Sequence, residues 1–289
     1  MNLNQYSLSA AQPGLAIDRI KRLLLPVPSF QEQKSIANYM DTQTAKIDRK
    51  IDLLAKKATK YSELKLSLIY ETVTRGLAKT VPMKDSGVEW IGEMPENWEV
   101  KRLKDVFKTI KGKSLELKEE QFENHLPNLS LEFLRNDKVR YIEYSFSESP
   151  IYRASSNDLI IVWDGAGVGE ILKAKEGFLS STIAKLKFYD LSEKEYFYNI
   201  RFIVENKLKK IPTGMGIPHL NPTILYNFMI PAPPKIEREA IVDYLNKKTL
   251  TIDRIIKTIN IEIEKLKELR KTLINDVVTG KIKVTREGE

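Results

Sequence analysis

The sequence predicts an α+β protein: one mixed α/β domain over residues 80–234, flanked by two long helices of the kind that form coiled coils. Three observations carry this expectation. A unit of roughly 60 residues occurs twice, at an offset of 205 residues. Each copy contains a heptad stripe with no helix breaker. Between the copies the texture changes to short apolar runs punctuated by Gly and Asn.

The repeat begins with proline. Leu25-Pro26-Val27-Pro28 returns as Ile230-Pro231-Ala232-Pro233, and Ile47-Asp48-Arg49 returns as Ile252-Asp253-Arg254. Leu68-Ile69 matches Leu273-Ile274, and Val73-Thr74 matches Val278-Thr279. The offset is too long for a solenoid period and reads as duplication of a larger module. The prolines impose an extended approach, so each helix is expected to start after its proline run.

The first helix falls within residues 30–79. Met40, Thr44, Ile47, Ile51, Leu54, Ala58, Tyr61, Leu68 and Thr72 follow a seven-residue pattern, broken at Lys65. The second falls within residues 235–289. Leu245, Thr249, Ile252, Ile256, Ile259, Ile263, Leu266, Leu273 and Val277 follow the same pattern, broken at Arg270. This is the a/d seam of a paired rod, although two amphipathic helices of a bundle would carry the same stripe. Each rod should span ~60 Å. Gly76 and Gly280 stand where a helix C-cap is expected. Pairing within one chain and pairing between chains would both bury the stripe, so the pattern does not choose between them.

In the domain between, Leu159–Trp163 and Thr182–Phe188 read as strands. Residues 190–211 read as a helix, with Tyr198, Phe202 and Leu208 facing a core.

Composition narrows the function. The 289 residues give room for about two domains. There is no cysteine, which excludes disulfides, thiol catalysis and cysteine zinc sites. Two histidines, His125 and His219, are too few for a His-rich metal site, and His219 reads as structural. A net charge of +8 favours a polyanionic partner. No apolar run reaches the ~18 residues of a membrane span, and the start lacks a secretory pattern, so the expected compartment is the cytoplasm.

No catalytic constellation is found. Gly165-Ala166-Gly167-Val168-Gly169 fails the dinucleotide spacing and is followed by Glu170, where a phosphate loop needs Lys. It reads as a tight turn after a strand. Asp158 and Asp164 lack the pattern of metal-dependent nucleases, and Asn221-Pro222 is followed by Thr223-Ile224, which is not the adenine-methyltransferase motif. The expectation is a non-enzyme without cofactor or metal.

Several motifs then carry a resemblance. Ser86-Gly-Val-Glu-Trp90-Ile-Gly-Glu-Met-Pro95-Glu-Asn-Trp98 resembles the start of the target recognition domains in specificity subunits of type I restriction–modification systems. Ile230-Pro-Ala-Pro-Pro234 before Glu237, and Leu25-Pro-Val-Pro28 before Gln31-Glu-Gln33, resemble that family's exits into conserved spacer helices. Asp158–Gly169 resembles a strand-and-turn element of those domains that lies near DNA. The resemblance implies a non-catalytic, sequence-specific adapter. Its recognition domain would read double-stranded DNA. Its spacer helices would hold modification (adenine methyltransferase) subunits and a restriction subunit on a bipartite site. S-adenosylmethionine, ATP and Mg²⁺ would belong to those partners.

The family pattern alternates two recognition domains with two spacers, whereas one complete recognition domain is found here. Residues 1–29 resemble the tail of a first domain whose body is missing. The resemblance therefore implies a half-subunit or truncated form, acting as a homodimer or pairing with another half. An inactive or regulatory half that binds modification subunits without supporting methylation is the alternative.

Candidate DNA contacts follow from residue type. Lys101 to Lys113 is crowded with basic residues, which form either a phosphate-binding face or a solvated helix face with Leu103 and Phe107 inward. Lys111, Lys113 and Ser114 around Gly112 are its best contacts. Asn128, Ser130, Ser180 and Ser181 suit phosphate or base edges, and equally suit turns and strand ends. Trp163 and Asp164 are candidates through the resemblance, with a core aromatic as the other reading of Trp163. Lys209, Lys210 and Thr213 form a basic, glycine-rich segment suited to the DNA backbone.

Overall fold

The computed structural model describes residues 21, 27–136, 138–139, 141–209 and 218–284. The chain forms two compact units: Met1–Lys60 with Ile255–Glu289, and Tyr61–Arg254.

Helix α1, Phe30–Arg75, starts with a capping box, in which Ser29 N–H donates to Glu32 Oε2 and Glu32 N–H to Ser29 Oγ. It ends at Gly76, which takes the left-handed conformation with φ +74°. The elements that follow are β1 (Met83–Asp85), β2 (Glu93–Pro95), β3 (Glu99–Arg102), β4 (Phe107–Lys111), β5 (Leu126–Leu129) and the short α2 (Leu131–Arg135). Then come β6 (Tyr144–Ser145), β7 (Arg153–Ala154), β8 (Leu159–Val162), β9 (Ile171–Lys173), β10 (Gly177–Leu179) and β11 (Ile183–Phe188). Helix α3 (Ser192–Lys209), α4 (Pro222–Asn227), β12 (Met229–Ala232) and the long α5 (Lys235–Val278) complete the chain's described elements. Helix α5 is followed by Gly280 at φ +76°. At 46 and 44 residues, α1 and α5 are ~69 and ~66 Å long. Among the described residues no helix is long and apolar enough to cross a membrane.

The heptad positions are the covered ones. On α1, Ile47, Ile51, Leu54, Tyr61 and Leu68 are half-buried while their flanking residues are largely exposed. On α5, Ile252, Ile259 and Ile263 are buried, and Ile256, Leu266 and Leu273 are half-buried. In the first unit the two helices run antiparallel within one chain. Lys50 pairs with Glu262 at 2.9 Å, and Asp48 with Arg270 at 3.0 Å, so the lower number on α1 meets the higher on α5.

The second unit is wider than residues 80–234, because ends of both long helices belong to its core. Ile69, Val73, Ile241 and Leu245 are buried with Trp98, Leu103, Phe107, Phe197 and Ile200. Its last strand returns to an early one: β12 pairs antiparallel with β3, setting Pro231 opposite Val100. Trp98, fully buried, donates its indole N–H to Glu237 Oε2 at 2.8 Å, joining the start of the domain to the first turn of α5. Trp90 donates to the Met229 carbonyl at 2.9 Å and stacks on Phe228.

Two four-stranded sheets fill the domain, in the orders β4-β11-β8-β9 and β6-β5-β10-β7. The first is wholly antiparallel, and β8 is buried at all four positions, as its continuous apolar run requires. In the second, β5 and β10 run parallel. Residues 101–113 do not form the helix face read from the spacing of Leu103 and Phe107. They form strand, one 3₁₀ turn and strand, with both apolar residues buried. The five-residue ladder of β4 on β11 overrides the local period. In α3 the deepest residues are Tyr196, Phe197, Ile200 and Val204, with Leu208 also buried, while Tyr198 and Phe202 are half-buried.

Candidate nucleic-acid interface

Four chain segments meet at one end of the β4-β11-β8-β9 sheet. Lys111 is the last residue of β4, opposite Ala184. The next residue, Gly112, donates its N–H to the Ile183 carbonyl at 3.0 Å. A Cβ at Gly112 would stand 2.1 Å from the Ser180 carbonyl oxygen, so only glycine lets β4 come this close to the turn at 180–182. In that turn Ser180 and Thr182 share a hydroxyl hydrogen bond of 3.0 Å. The Thr182 carbonyl accepts from Trp163 N–H at 2.8 Å and Asp164 N–H at 3.1 Å. The fourth segment, Pro218–Leu220, lies along residues 163–165: Gly165 N–H donates to the Pro218 carbonyl at 2.9 Å, and Leu220 N–H to the Trp163 carbonyl at 2.8 Å.

Asp164 is the hinge of this cluster. Its Oδ2 lies 2.9 Å from Lys111 Nζ, and its Oδ1 lies 2.6 Å from His219 Nδ1. The carboxylate side chain is only 16% exposed, whereas Lys111 is 43% and His219 68% exposed. Burial pushes the Asp164 carboxyl up, but the hydrogen bonds from His219 and Lys111 outweigh it and hold the carboxyl below its ordinary range. Lys111 Nζ also lies 5.7 Å from the Trp163 ring centroid, and Lys113 Nζ lies 5.0 Å from that of Tyr152. Trp163 is half-buried against the core, so the indole is partly a packing residue and partly surface.

The structure therefore brings Lys111, Lys113, Trp163, Asp164, Ser180 and Ser181 to one edge. Ser114 follows them, exposed, beyond the end of β4. Asn128 and Ser130 have other surroundings. The parallel register sets Leu129 opposite Leu179, so Ser130 and Ser180 leave their strands at the same end. The Ser130 hydroxyl, however, accepts from Phe133 N–H as the N-cap of α2. Asn128 is buried and lines a cavity of about 570 Å³ with Glu119, Glu132 and Glu143, a lining that repels phosphate. Lys209 is exposed at the end of α3; Lys210 and Thr213 lie outside the described residues. Lys101 faces Glu193 at 2.9 Å and so belongs to a structural ion pair. The glycine run 165–169 is the β8–β9 turn, in which Val168 N–H bonds to the Gly165 carbonyl and Gly169 N–H to the Val162 carbonyl.

His219 was not legible as part of this site. The structure sets it in the open beside Asp164, not in a core. The signal is a bridge between residues 55 apart, which no local spacing encodes.

The family described as "Type I restriction modification DNA specificity domain" matches residues 95–265. The chain is 35% identical over 190 residues to the type I restriction enzyme MjaVIII specificity subunit of Methanocaldococcus jannaschii, which covers 64% of this chain and 43% of that protein. It is 27% identical to the putative type I restriction enzyme MjaX specificity subunit of the same organism, over 98% of this chain and 63% of that protein. The chain thus spans about half the length of these relatives. Among solved structures, the fold resembles a chain from work on complex assembly of the type I R-M system, with TM-score 0.74 and 19% identity over 94% of this chain and 65% of that one. It also resembles the HsdS subunit from Thermoanaerobacter tengcongensis, with TM-score 0.55 and 20% identity over 97% of this chain and 67% of that one.

Proposed function

Because the chain belongs to the family of type I restriction–modification DNA specificity domains, we propose that it is a non-catalytic subunit that reads double-stranded DNA. One observation carries the reading: Lys111, Lys113, Ser180 and His219 converge on one sheet edge, with the two lysines and His219 exposed. Exposed cations and short hydroxyls on a rigid edge suit phosphate contacts, which fix a protein's register on duplex DNA. Base reading would come from the same edge, where Trp163 and the 180–182 turn lie.

The antiparallel helix pair of the first unit offers a docking element for modification subunits, with a restriction subunit joining them. Methyl donor, nucleotide and metal chemistry would reside in those partners. A second copy of the chain, or another half-subunit, would supply the other half of a bipartite site.

Duplex binding of the full chain across a salt series tests the first claim. Affinity should fall steeply with salt, by ~0.9 in log K per log salt for each phosphate contacted. A chain that binds no duplex even at low salt contradicts the reading, and favours a half that docks on modification subunits without supporting methylation.

A further inference from the structure

Asp164 is placed oddly for a residue of a DNA-reading edge. A carboxylate there repels phosphate, and yet backbone hydrogen bonds from two segments hold it in position. Thr182 accepts from its N–H, and the strand-like segment Pro218–Leu220 is bonded on both sides of it. What the buried carboxylate touches is a pair of exposed donors on separate segments, Lys111 from β4 and His219 from the far bridge. Both donors are partly open: Lys111 is 43% exposed and lies 5.7 Å from the Trp163 ring centroid, and His219 is 68% exposed. The Asp164 oxygens each take one partner, Oδ2 the lysine and Oδ1 the imidazole Nδ1. With its Nδ1–H given to the carboxylate, the exposed ring has Nε2 as its other nitrogen, which donates to a phosphate when both nitrogens carry protons.

We propose that Asp164 is a positioning residue that orients Lys111 and His219 as a two-donor clamp for a DNA phosphate, which makes His219 a DNA contact. The proposal rests on the reading of the chain as a DNA-binding subunit. A carboxylate that holds a cation in place reduces the rotamer freedom lost on binding, and one whose own charge is spent on two donors opposes phosphate little. Gly112 and the 180–182 turn supply the rigid floor, since β4 and the turn are in backbone contact beneath the clamp.

The sign of one substitution separates this role from simple electrostatics. Asp164→Asn keeps the shape and removes a negative charge from a DNA-facing edge. On charge alone the variant binds duplex more tightly. As a positioning residue its loss weakens binding. The test is anisotropy titration of the full chain against a mixed-sequence duplex over a salt series, with melting temperature followed in parallel. Asp164→Asn is expected to weaken binding roughly fivefold or more. Lys111→Ala is expected to lower the salt slope by ~0.9. In a chain that already carries Lys111→Ala and His219→Ala, Asp164→Asn should weaken binding no further. His219→Ala, a change at an exposed side chain that leaves the fold intact, should weaken binding and leave unchanged the sequences selected from a random duplex pool. Tighter or equal binding by a folded Asp164→Asn overturns the clamp. Unchanged binding by His219→Ala overturns its histidine arm, and a shifted selected sequence overturns the phosphate assignment in favour of base reading. Failure of the unaltered chain to bind any duplex is a different result: it removes the functional reading on which the clamp stands.

Discussion

Lys65 and Asp253 form an ion pair, with Lys65 Nζ 2.7 Å from each carboxylate oxygen. In the internal repeat Lys65 corresponds to Arg270, and Asp253 corresponds to Asp48. Arg270 and Asp48 are paired as well, at 3.0 Å. Both basic residues that break the heptad seams therefore carry an ion pair to the other long helix, each meeting the repeat-equivalent aspartate. A polar residue at a seam position specifies register at some cost in stability. Lys65→Asp would set two carboxylates against each other and should lower stability by about 1 kcal/mol, small because both side chains are partly solvated. Adding Asp253→Lys should restore the melting temperature, and a double variant no more stable than the single one would show that the pair does not set register.

Gly112 gives a sharper effect. With a Cβ 2.1 Å from a backbone oxygen and 2.6 Å from another, no side chain can yield to make room. Gly112→Ala should cost about 3 kcal/mol and weaken DNA binding together with stability. Lys113→Ala, one residue on and exposed, should leave the melting temperature unchanged.

The indole N–H of Trp98 is buried and has Glu237 as its acceptor. Glu237→Ala leaves that donor without a partner and should destabilise the domain by about 1–3 kcal/mol. Glu237→Gln retains an acceptor oxygen and should lose less. Equal losses in thermal melts would mean that the hydrogen bond contributes nothing beyond packing.

Arg238 on α5 is buried and bound to Asp190 at 3.2 Å, to Glu193 at 3.3 Å and to the Ser192 hydroxyl at 2.6 Å. Arg238→Ala leaves Glu193, which is also buried, with only Lys101 opposite. A loss of about 3 kcal/mol is expected, and Arg238→Met should cost less than Arg238→Ala because it fills the same volume. Chemical denaturation of the two variants checks the order.

Acid should unfold the domain in part through two aspartates. Hydrogen bonds from the Ser192 hydroxyl and backbone hold the Asp190 carboxyl below its ordinary range, with Arg238 assisting. Asp164 is held below it by His219 and Lys111 against the upward push of burial. A carboxyl lowered in the folded state contributes stability above its unfolded pKa of about 4 and loses that contribution as pH falls through the folded value. Asp164→Asn should therefore flatten the decline of melting temperature below that range. An unchanged pH profile would mean that the carboxylate contributes no such stability.

The long helices were legible because their signal is local and repeated. Heptad spacing, the Ser29–Glu32 box and the flanking prolines all lie within a few residues of the element they define. The same holds for β8, whose apolar run needs no partner to be read. Residues 101–113 misled because Leu103 and Phe107 satisfy a helical spacing, while Phe107 is held by pairing with β11, some 80 residues away, and Leu103 by a backbone bond to the Phe228 carbonyl. Of the residues that meet at the end of the first sheet, residue type singled out Lys111 and Ser180, the family resemblance Trp163 and Asp164, and neither pointed to His219, which Asp164 binds across 55 residues of sequence. Asn128 and Ser130 were chosen for their chemistry alone. The Ser130 hydroxyl caps α2 and Asn128 lines an acidic cavity, surroundings that only the fold reveals.

A methylation map tests sequence-specific DNA reading by this chain. The chain would be expressed with a type I modification subunit in a host lacking adenine methylation, and its DNA sequenced by a modification-sensitive long-read method. The account predicts methylation confined to a discrete interrupted motif, symmetric if two copies of the chain supply both halves, and lost or degraded with Gly112→Ala. Absence of any motif, with the same modification subunit shown to be active beside another specificity subunit, would contradict it.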